Sequence, residues 1–183
     1  MSFIRYTWLT DNGLPIPAPK NPFHRETDEP NLGMRLDTLR KMTAEDLKKI
    51  ESLLEQLTGR RLPEKRWRPG LEAPNIYLAL ARLDRSAVGD EWWEADKIVG
   101  MGSLLLIDQL TGRRARIEDV VVDESVRGRG VAKELMRRLH ALAYDFGCLH
   151  LDLTSAPNRE TANALYLNLG YELRETNVYR LKL

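Results

Sequence analysis

The sequence predicts an α+β (mixed α/β) fold, in which a mixed sheet is flanked by three or four helices. Short β-rich runs that follow one another through turns predict antiparallel neighbours. "ARIEDVVVD" and "CLHLDLTS" are instead separated by a helical segment, which predicts one parallel pair. The chain has 183 residues, 43% of them hydrophobic and 30% charged, which suits one domain with a sizeable core.

The first 33 residues predict an N-terminal extension. Residues 11–30 contain five of the nine prolines and little apolar material, a composition typical of an extended arm. "FIRYTW" in front of the arm fits either an additional edge strand or a disordered leader. The start "MSFIRYTWLTDNG" has no basic segment followed by an apolar one, so we expect no secretory signal.

A strand and a helix open the domain that we expect over residues 34–183. "GMRLDTLRKM" predicts the strand, and "TAEDLKKIESLLEQLTG" predicts the helix. Thr43 and Asp46 resemble a capping box, and Gly59 stands where a C-terminal cap belongs. The apolar face of this helix repeats at helical spacing through Leu47, Ile50, Leu54 and Leu57.

Three strands are predicted next. "GRRLPEKRWRPG" is a basic segment punctuated by prolines and predicts a loop. "NIYLALAR" and "KIVGMGSLLLID" predict strands, which a long polar loop with Trp92 and Trp93 connects. "QLTGRR" predicts a turn that folds the second strand back into "ARIEDVVVD".

The second half predicts two helices and three strands. A helix is indicated from Val131 to Phe146, where Gly147 can end it. "CLHLDLTS" alternates strictly, so Leu149, Leu151 and Leu153 are expected on one face. "PNRETANALYLNLG" predicts a short helix with Pro157 in its first turn and Gly170 just past its end. "YELRE" and "NVYRLKL" predict a closing hairpin.

Composition excludes several classes of function. The net charge is +1, so the chain lacks the basic field of most nucleic-acid-binding proteins, and no apolar run approaches a membrane span. We therefore expect neither a nucleic-acid nor a membrane partner. Cys148 is the only cysteine, which excludes an intrachain disulfide and favours a cytoplasmic location. His150 and Asp152 share a face of one strand, but two residues do not make a metal site, so no metal is expected.

The segment "VRGRGVAK" between a strand and a helix predicts an anion site. The first amides of a helix have no intrahelical partner, and the helix dipole adds positive charge there. Glycines let the backbone approach a ligand, and arginines add charged donors. Phosphate or pyrophosphate is the simplest ligand. The alternative is a tight turn with two solvated arginines.

Two common phosphate motifs fit less well. A P-loop requires GxxxxGK[ST], which is missing here. Gly128 and Gly130 fit a dinucleotide GxGxxG motif and Asp152 follows at about the ribose-binding distance, but Lys133 replaces the third glycine. Only one strand–helix–strand unit is evident, which is too few for a doubly wound sheet.

Two motifs resemble the GNAT superfamily of acyl-CoA-dependent N-acyltransferases. "RGRGVA" at 127–132 is similar to its Arg/Gln-x-x-Gly-x-Gly/Ala signature, and "ALYLNLGYE" to its later Leu-Tyr-x-x-Leu-Gly-Phe/Tyr segment. The resemblance implies a strongly twisted mixed sheet with helices on its faces, in which two central parallel strands splay apart around acetyl-CoA. It also implies which residues bind this co-substrate. The pantetheine arm would lie along the backbone of Val120, Val121 and Val122, the pyrophosphate on Arg127, Gly128, Arg129, Gly130, Val131 and Ala132, and further contacts on Asn158, Arg159 and Asn163.

The same resemblance implies direct attack of an amine on the thioester, with no acyl-enzyme, so Cys148 needs no catalytic role. Tyr166 takes the place of the general acid near the CoA sulfur. Arg159, Asn163 and Tyr166 also form a polar stripe on one helix face, although a tyrosine that only packs its ring is the alternative. Strand alternation places Glu118 on the face of Val120 and Val122, so Glu118 is the candidate base. A structural pair with Arg116 is an equal alternative, and Asp119 is expected to point away.

The sequence leaves the acceptor open, as a small molecule or a protein amine. The basic loop after the first helix fits an acceptor with a carboxylate or phosphate, although solvated charges are the simpler interpretation. The residues of the basic loop are Arg60, Arg61, Lys65, Arg66 and Arg68. Trp92 and Trp93 fit an acceptor site, the core or a homodimer contact equally well.

Two functions are compatible with these features: an acetyl-CoA-dependent N-acetyltransferase, or a non-catalytic acyl-CoA sensor with a partner-binding arm. Release of CoA thiol in the presence of amines distinguishes them.

Overall fold

A computed structural model describes residues 34–38, 42–83 and 97–183 of the chain. A five-stranded sheet has the order β1-β2-β3-β4-β5, with antiparallel neighbours up to β4 and a parallel β4–β5 pair. This mixed α+β architecture confirms the predicted fold class. The strands are β1 (Met34–Thr38), β2 (Ile76–Leu83), β3 (Ile98–Gln109), β4 (Gly112–Val122) and β5 (Leu151–Asp152). The helices are α1 (Ala44–Thr58), α2 (Glu64–Glu72), α3 (Val131–Asp145) and α4 (Glu160–Asn168).

The predicted ends of α1 are confirmed. The Thr43 hydroxyl accepts a hydrogen bond from the Asp46 amide at 3.1 Å, and the Asp46 carboxylate accepts one from the Thr43 amide at 2.9 Å. Gly59 ends the helix with a φ of 70°, a left-handed conformation that glycine adopts without a steric penalty. These local interactions fix both ends of the helix, which is why the sequence pattern was sufficient to locate them.

The predicted loop between α1 and β2 is wrong, because its second half forms α2. Its two prolines do not prevent the helix from forming: Pro63 lies just before the first helical residue, and Pro69 lies inside the helix. Arg68 stabilises the exposed face through ion pairs to Glu64 at 2.9 Å and to Glu72 at 3.2 Å, each four residues away. Trp67 and Leu71 pack against the core beside α1, so tertiary contact outweighs the weak local preference.

The sheet separates two apolar layers. One layer contains α3 and the inward-facing residues of β2, β3 and β4, and the other contains α1 and α2. Gly100 and Gly102 of β3 lie directly under α3, where an added Cβ would approach Leu135 at 3.1 Å and Leu139 at 3.0 Å. The absence of side chains at these two positions therefore lets α3 lie close to the sheet.

The parallel pair is short, and this confirms the predicted splay. Only Ala115↔Leu151 and Arg116↔Asp152 are paired between β4 and β5. Beyond Arg116, β4 continues to Val122 without a strand beside it on that edge, among the residues that the structure describes. The strand predicted from "CLHLDLTS" is correspondingly reduced to two residues.

The predicted closing hairpin is not formed. Residues 171–183 contain neither helix nor strand, and all except Tyr171 are exposed. Alternating apolar residues predict strand conformation but do not specify a partner, and a hairpin without such packing is marginally stable. Pro157 is also displaced from its predicted place in a first helical turn, since it lies in the turn that precedes α4.

The N-terminal extension (1–33), Trp92 and Trp93 lie outside the described residues, so the domain boundary at residue 34 stays a prediction. In the part of the chain that the structure describes, no helix has the length and apolar content that a membrane span requires.

Candidate active site

The turn between β4 and α3 presents a row of free backbone amides. Gly128 and Gly130 have φ angles of 79° and 83°, which L side chains rarely adopt, and α3 begins directly after them. Gly130 supplies no side chain to cap the helix. Within the described residues, the amides of residues 128–133 donate to no acceptor. Free amides at the positive end of a helix dipole are chemically suited to binding an anion.

The two arginines of this turn have different environments. Arg127 donates from Nε to the Val122 carbonyl at 3.1 Å, and its Nη2 lies 3.9 Å from Glu124. Arg129 is exposed and makes no ion pair with any described residue. Arg127 therefore connects the turn to the end of β4, whereas Arg129 is available to a ligand.

A buried carboxylate, which the sequence did not single out, attaches the same turn to α1. Asp123 accepts hydrogen bonds from the Ser125 hydroxyl at 2.6 Å and the Ser125 amide at 3.1 Å, and it forms an ion pair with Lys49 of α1. Gln56 of α1 accepts a hydrogen bond from the Glu124 amide at 3.2 Å. Burial opposes ionisation of Asp123, but the Lys49 and Ser125 hydrogen bonds outweigh it and hold the pKa of Asp123 far below its usual range.

A β-bulge interrupts β4 at Asp119 and Val120. Ser103 pairs with Glu118 and Met101 with Val121, so Asp119 and Val120 together oppose Gly102. Asp119 adopts a φ of 54°, and the Ser103 hydroxyl donates to the Glu118 carbonyl at 3.1 Å. Nothing in "IEDVVV" is typical of a bulge, since aspartate replaces the glycine that commonly marks one.

The bulge makes the predicted orientation of Glu118 wrong. Ile117, Val120 and Val122 contact the layer of α3, and Val121 contacts the layer of α1. Glu118, next to Ile117, therefore lies on the face opposite Val120 and Val122. The alternative pair with Arg116 is present, and Arg116 also donates to the Thr154 hydroxyl at 3.1 Å.

Asp119 is a second carboxyl group at the bulge. The residue is exposed to solvent, although protein atoms lie around its carboxyl group. Burial among these neighbours, followed by the negative charge of Glu118, raises the pKa of Asp119 above its ordinary value. The sequence pattern indicated Glu118 rather than Asp119 as the candidate base, because it predicts strict alternation along β4 and the bulge breaks that alternation.

Tyr166 is half-buried on α4 and contacts the layer of α3. Burial raises the pKa of its phenol, and the positive charge of Arg159 partly opposes this shift. The ring packs edge-on against Tyr171, with 5.9 Å between ring centroids. Tyr171 is hydrogen-bonded to the buried His140 at 2.9 Å, whereas the Tyr166 hydroxyl has no hydrogen-bond partner among the described residues.

The other predicted contacts of α4 differ in their environments. Asn163 donates from its side-chain nitrogen to the Ala156 carbonyl at 3.0 Å, so this residue closes the turn before the helix. Asn158 and Arg159 are both exposed, and Arg159 precedes the first turn of α4.

Cys148 is half-buried, and burial raises the pKa of its thiol to about 11. A protonated thiol at neutral pH is a poor nucleophile. Nε2 of His150 lies 3.6 Å from Oδ2 of Asp152. No group of three or more side chains that could bind a metal occurs among the described residues.

Comparison with known proteins gives matches of three kinds. The model of the Acetyltransferase (GNAT) family matches residues 48–171. A glucosamine 6-phosphate N-acetyltransferase of Trypanosoma brucei brucei is 39% identical over 82 residues, which cover 43% of this chain and 54% of that protein. The chain thus spans about half the length of this curated relative.

Two solved structures illustrate the likeness in fold. An acetyltransferase of Trypanosoma brucei has a TM-score of 0.61 and 27% identity, and the match covers 82% of this chain and 99% of that one. An aminoglycoside N-acetyltransferase in complex with CoA has a TM-score of 0.63 and 20% identity, with 82% and 96% covered. The family model spans well over half of the residues and includes both the glycine turn and Tyr166. The chain therefore belongs to the GNAT acetyltransferase family.

Proposed function

We propose that this protein is an N-acetyltransferase, which transfers the acetyl group of acetyl-CoA to a primary amine by direct attack in a ternary complex. The observation that carries the proposal is the row of free amides at residues 128–133, placed beside the unpaired edge of β4. An anion site next to an open strand edge suits a ligand with a pyrophosphate and an amide-containing arm.

The residues at this site fit CoA. Backbone amides and Arg129 would hold the pyrophosphate, where charge-assisted hydrogen bonds are strongest. The pantetheine arm would lie along Val120–Val122, as a strand would. Arg127 already donates a hydrogen bond to the Val122 carbonyl, so we expect its side chain to hold the turn in place rather than to contact the ligand. The aminoglycoside acetyltransferase with the similar fold was crystallised with CoA, which supports this assignment.

Acyl transfer requires a neutral amine, donors for the developing oxyanion and a proton for the leaving thiolate. Tyr166 would supply this proton, because its raised pKa keeps the phenol protonated at neutral pH and no described residue binds its hydroxyl. Asp119 is the stronger candidate for the base. Its raised pKa makes the carboxylate more basic, whereas Arg116 binds the carboxylate of Glu118.

The acceptor that we propose is a small amine with an anionic group, such as an amino-sugar phosphate. The relative from Trypanosoma brucei brucei is named for glucosamine 6-phosphate. Of the five cations between α1 and the end of α2, Arg61 pairs with Glu51 and Arg68 with two glutamates. The remaining three make no ion pair with a described residue and are available to an anionic acceptor: Arg60, Lys65 and Arg66.

The test is release of free CoA thiol from acetyl-CoA in the presence of an amine panel. The panel contains glucosamine 6-phosphate, glucosamine, a polyamine and a peptide with a free N-terminus. We expect release with glucosamine 6-phosphate and much less with glucosamine, which lacks the phosphate. Tight binding of acetyl-CoA without release for any amine would instead indicate a non-catalytic acyl-CoA sensor.

A further inference from the structure

The end of α4 forms a Schellman motif, which joins Tyr166 to Tyr171. Gly170 has a φ of 88°, and its amide donates to the Leu167 carbonyl at 3.0 Å. The Tyr171 amide donates to the Tyr166 carbonyl, also at 3.0 Å. In this motif the residue after the glycine commonly packs against the residue whose carbonyl it binds. The two tyrosine rings make this contact edge-on, with 65° between their planes, so the Tyr166 ring is coupled to Tyr171.

Tyr171 is fixed in turn by His140, on the buried face of α3. Its hydroxyl lies 2.9 Å from Nε2 of His140, and the two ring centroids are 5.4 Å apart. Burial lowers the pKa of His140 to about 4 and raises the pKa of the Tyr171 phenol. Both groups are therefore neutral at neutral pH, and their hydrogen bond attaches the end of α4 to α3.

The Tyr166 side chain is oriented by packing alone within the part of the chain that the structure describes. Its hydroxyl has no hydrogen-bond partner there, and its ring is half-buried against the Tyr171 ring and the layer of α3. A proton donor must be held accurately, since a displacement of about 1 Å can cost roughly 10²-fold in rate. The contacts that hold Tyr171 therefore bear on the position of the Tyr166 hydroxyl.

We propose that Tyr171 and His140 are positioning residues for Tyr166, which they hold through the cap of α4 without touching the reacting atoms. The hydrogen bond between them fixes the Tyr171 ring, and this ring limits where the Tyr166 ring can lie. The effect on turnover rests on the proposed function, because the position of Tyr166 affects kcat only if its phenol is the acid.

A double-variant cycle with kcat as its readout tests the proposal. Tyr171→Phe removes the hydroxyl that contacts His140 and keeps the ring. We expect kcat to fall about tenfold, less than a full displacement of the donor would cost, while KM for acetyl-CoA changes little. In a Tyr166→Phe background the same substitution should have no further effect on kcat, because the group that Tyr171 positions is absent. Tyr179→Phe, in the exposed C-terminal segment (172–183), is the matched control and should leave kcat unchanged.

Two variants of His140 test the other end of the hydrogen bond. Glutamine places its amide nitrogen about where the imidazole carries Nε2, so His140→Gln can keep the contact with the Tyr171 hydroxyl, whereas His140→Leu cannot. We expect His140→Gln to retain most of kcat and His140→Leu to lose as much as Tyr171→Phe. Thermal melting of each variant establishes that it is folded.

Fluorine NMR of the protein labelled with fluorotyrosine gives a readout that requires no acceptor. The Tyr166 signal, assigned by its loss in Tyr166→Phe, should shift and broaden in Tyr171→Phe and stay unchanged in Tyr179→Phe. An unchanged signal in Tyr171→Phe overturns the proposal, as does unchanged kcat in that variant or an equal loss of kcat in the Tyr166→Phe background. A changed signal in a protein that acetylates no amine would support the positioning of Tyr166 and reject the proposed function.

Discussion

Tyr166 has a half-buried, protonated phenol, and its hydroxyl has no hydrogen-bond partner among the described residues. Tyr166→Phe removes only this hydroxyl and keeps the ring contacts with Tyr171. If the phenol protonates the leaving thiolate, kcat should fall by roughly 10²–10⁴-fold. The affinity for acetyl-CoA and the melting temperature should change little, which steady-state kinetics, calorimetric titration and thermal melting measure.

A matched control for this variant is Tyr179→Phe, because Tyr179 is 88% exposed in the C-terminal segment. Its kcat should equal that of the unaltered protein. Unchanged turnover in Tyr166→Phe would remove the general-acid role, while the fold and the anion site would stand.

Replacing Asp119 or Glu118, the two carboxyl groups at the bulge, should have different effects on the pH profile of kcat/KM. A base must be ionised, so kcat/KM should fall as the pH falls through the raised pKa of Asp119. Asp119→Asn should abolish this acidic limb and lower activity, since asparagine tolerates the left-handed conformation at this position. Glu118→Gln serves as the matched variant and should keep the limb. The reverse result would identify Glu118 as the base, as strand alternation first indicated.

His140 should make the folded protein sensitive to mild acid. Burial lowers the pKa of His140 to about 4, so the unfolded chain binds a proton at higher pH than the folded one. The stability that the neutral imidazole provides is complete above its ordinary pKa and is lost as the pH falls towards 4. Between neutral pH and pH 5 the loss is about 2 kcal/mol, from the linkage relation.

Urea denaturation of the unaltered protein and of His140→Gln measures this effect, because the other titrating groups contribute equally to both proteins. His140→Gln should lose less stability over the same pH interval. Equal losses in the two proteins would mean that His140 is not neutral and buried in the folded state.

At the scale of elements, Asp123 connects α1 with the anion-binding turn. Asp123→Asn removes the ion pair with Lys49 and should destabilise the fold by about 1–3 kcal/mol, the range for a lost buried charged hydrogen bond. It should also weaken acetyl-CoA binding, because the turn loses its attachment to α1. Lys49→Met should have a similar effect, and the double variant should cost less than the sum of the two. Additive losses, or unchanged affinity, would contradict this link.

Element boundaries could be predicted from the sequence wherever local interactions determine them. The capping box at Thr43, the left-handed Gly59 and the start of α3 after Gly130 all depend on residues within a few positions of each other. The bulge at Asp119 could not be predicted, because it arises from the pairing of β4 with β3 and not from a local signal. The formation of α2 likewise depends on the contacts of Trp67 and Leu71 with the core.

The candidate site was predictable to a similar degree. Family motifs located the turn and Tyr166, because their positions follow from short segments. Asp123 escaped prediction because its partner Lys49 is 74 residues away in the sequence. The sequence also did not predict that residues 172–183 form no strand. Alternation predicts a strand but does not identify the sheet edge with which that strand pairs.

At the scale of the whole molecule, the splay between β4 and β5 accounts for the position of the site. β4 extends past its last pair with β5, at Arg116, by six residues, up to Val122. Backbone groups along such an edge require hydrogen-bond partners, which a bound ligand can supply. Arg127, in the turn before α3, donates to the carbonyl of Val122 at the end of β4, so the turn is attached to this strand. We therefore propose that the fold joins a strand edge for the pantetheine arm to an anion site, and this combination is the central claim.

Calorimetric titration of acetyl-CoA into the unaltered protein, Gly130→Val and Gly59→Val tests this claim most directly. Gly130 and Gly59 have similar φ angles, 83° and 70°, so valine strains the backbone at both, but only Gly130 lies in the anion-binding turn. The account predicts one site per chain and an affinity at least about tenfold weaker for Gly130→Val, the equivalent of roughly 1.4 kcal/mol. Gly59→Val should bind like the unaltered protein. Equal affinity in a folded Gly130→Val protein would contradict the account.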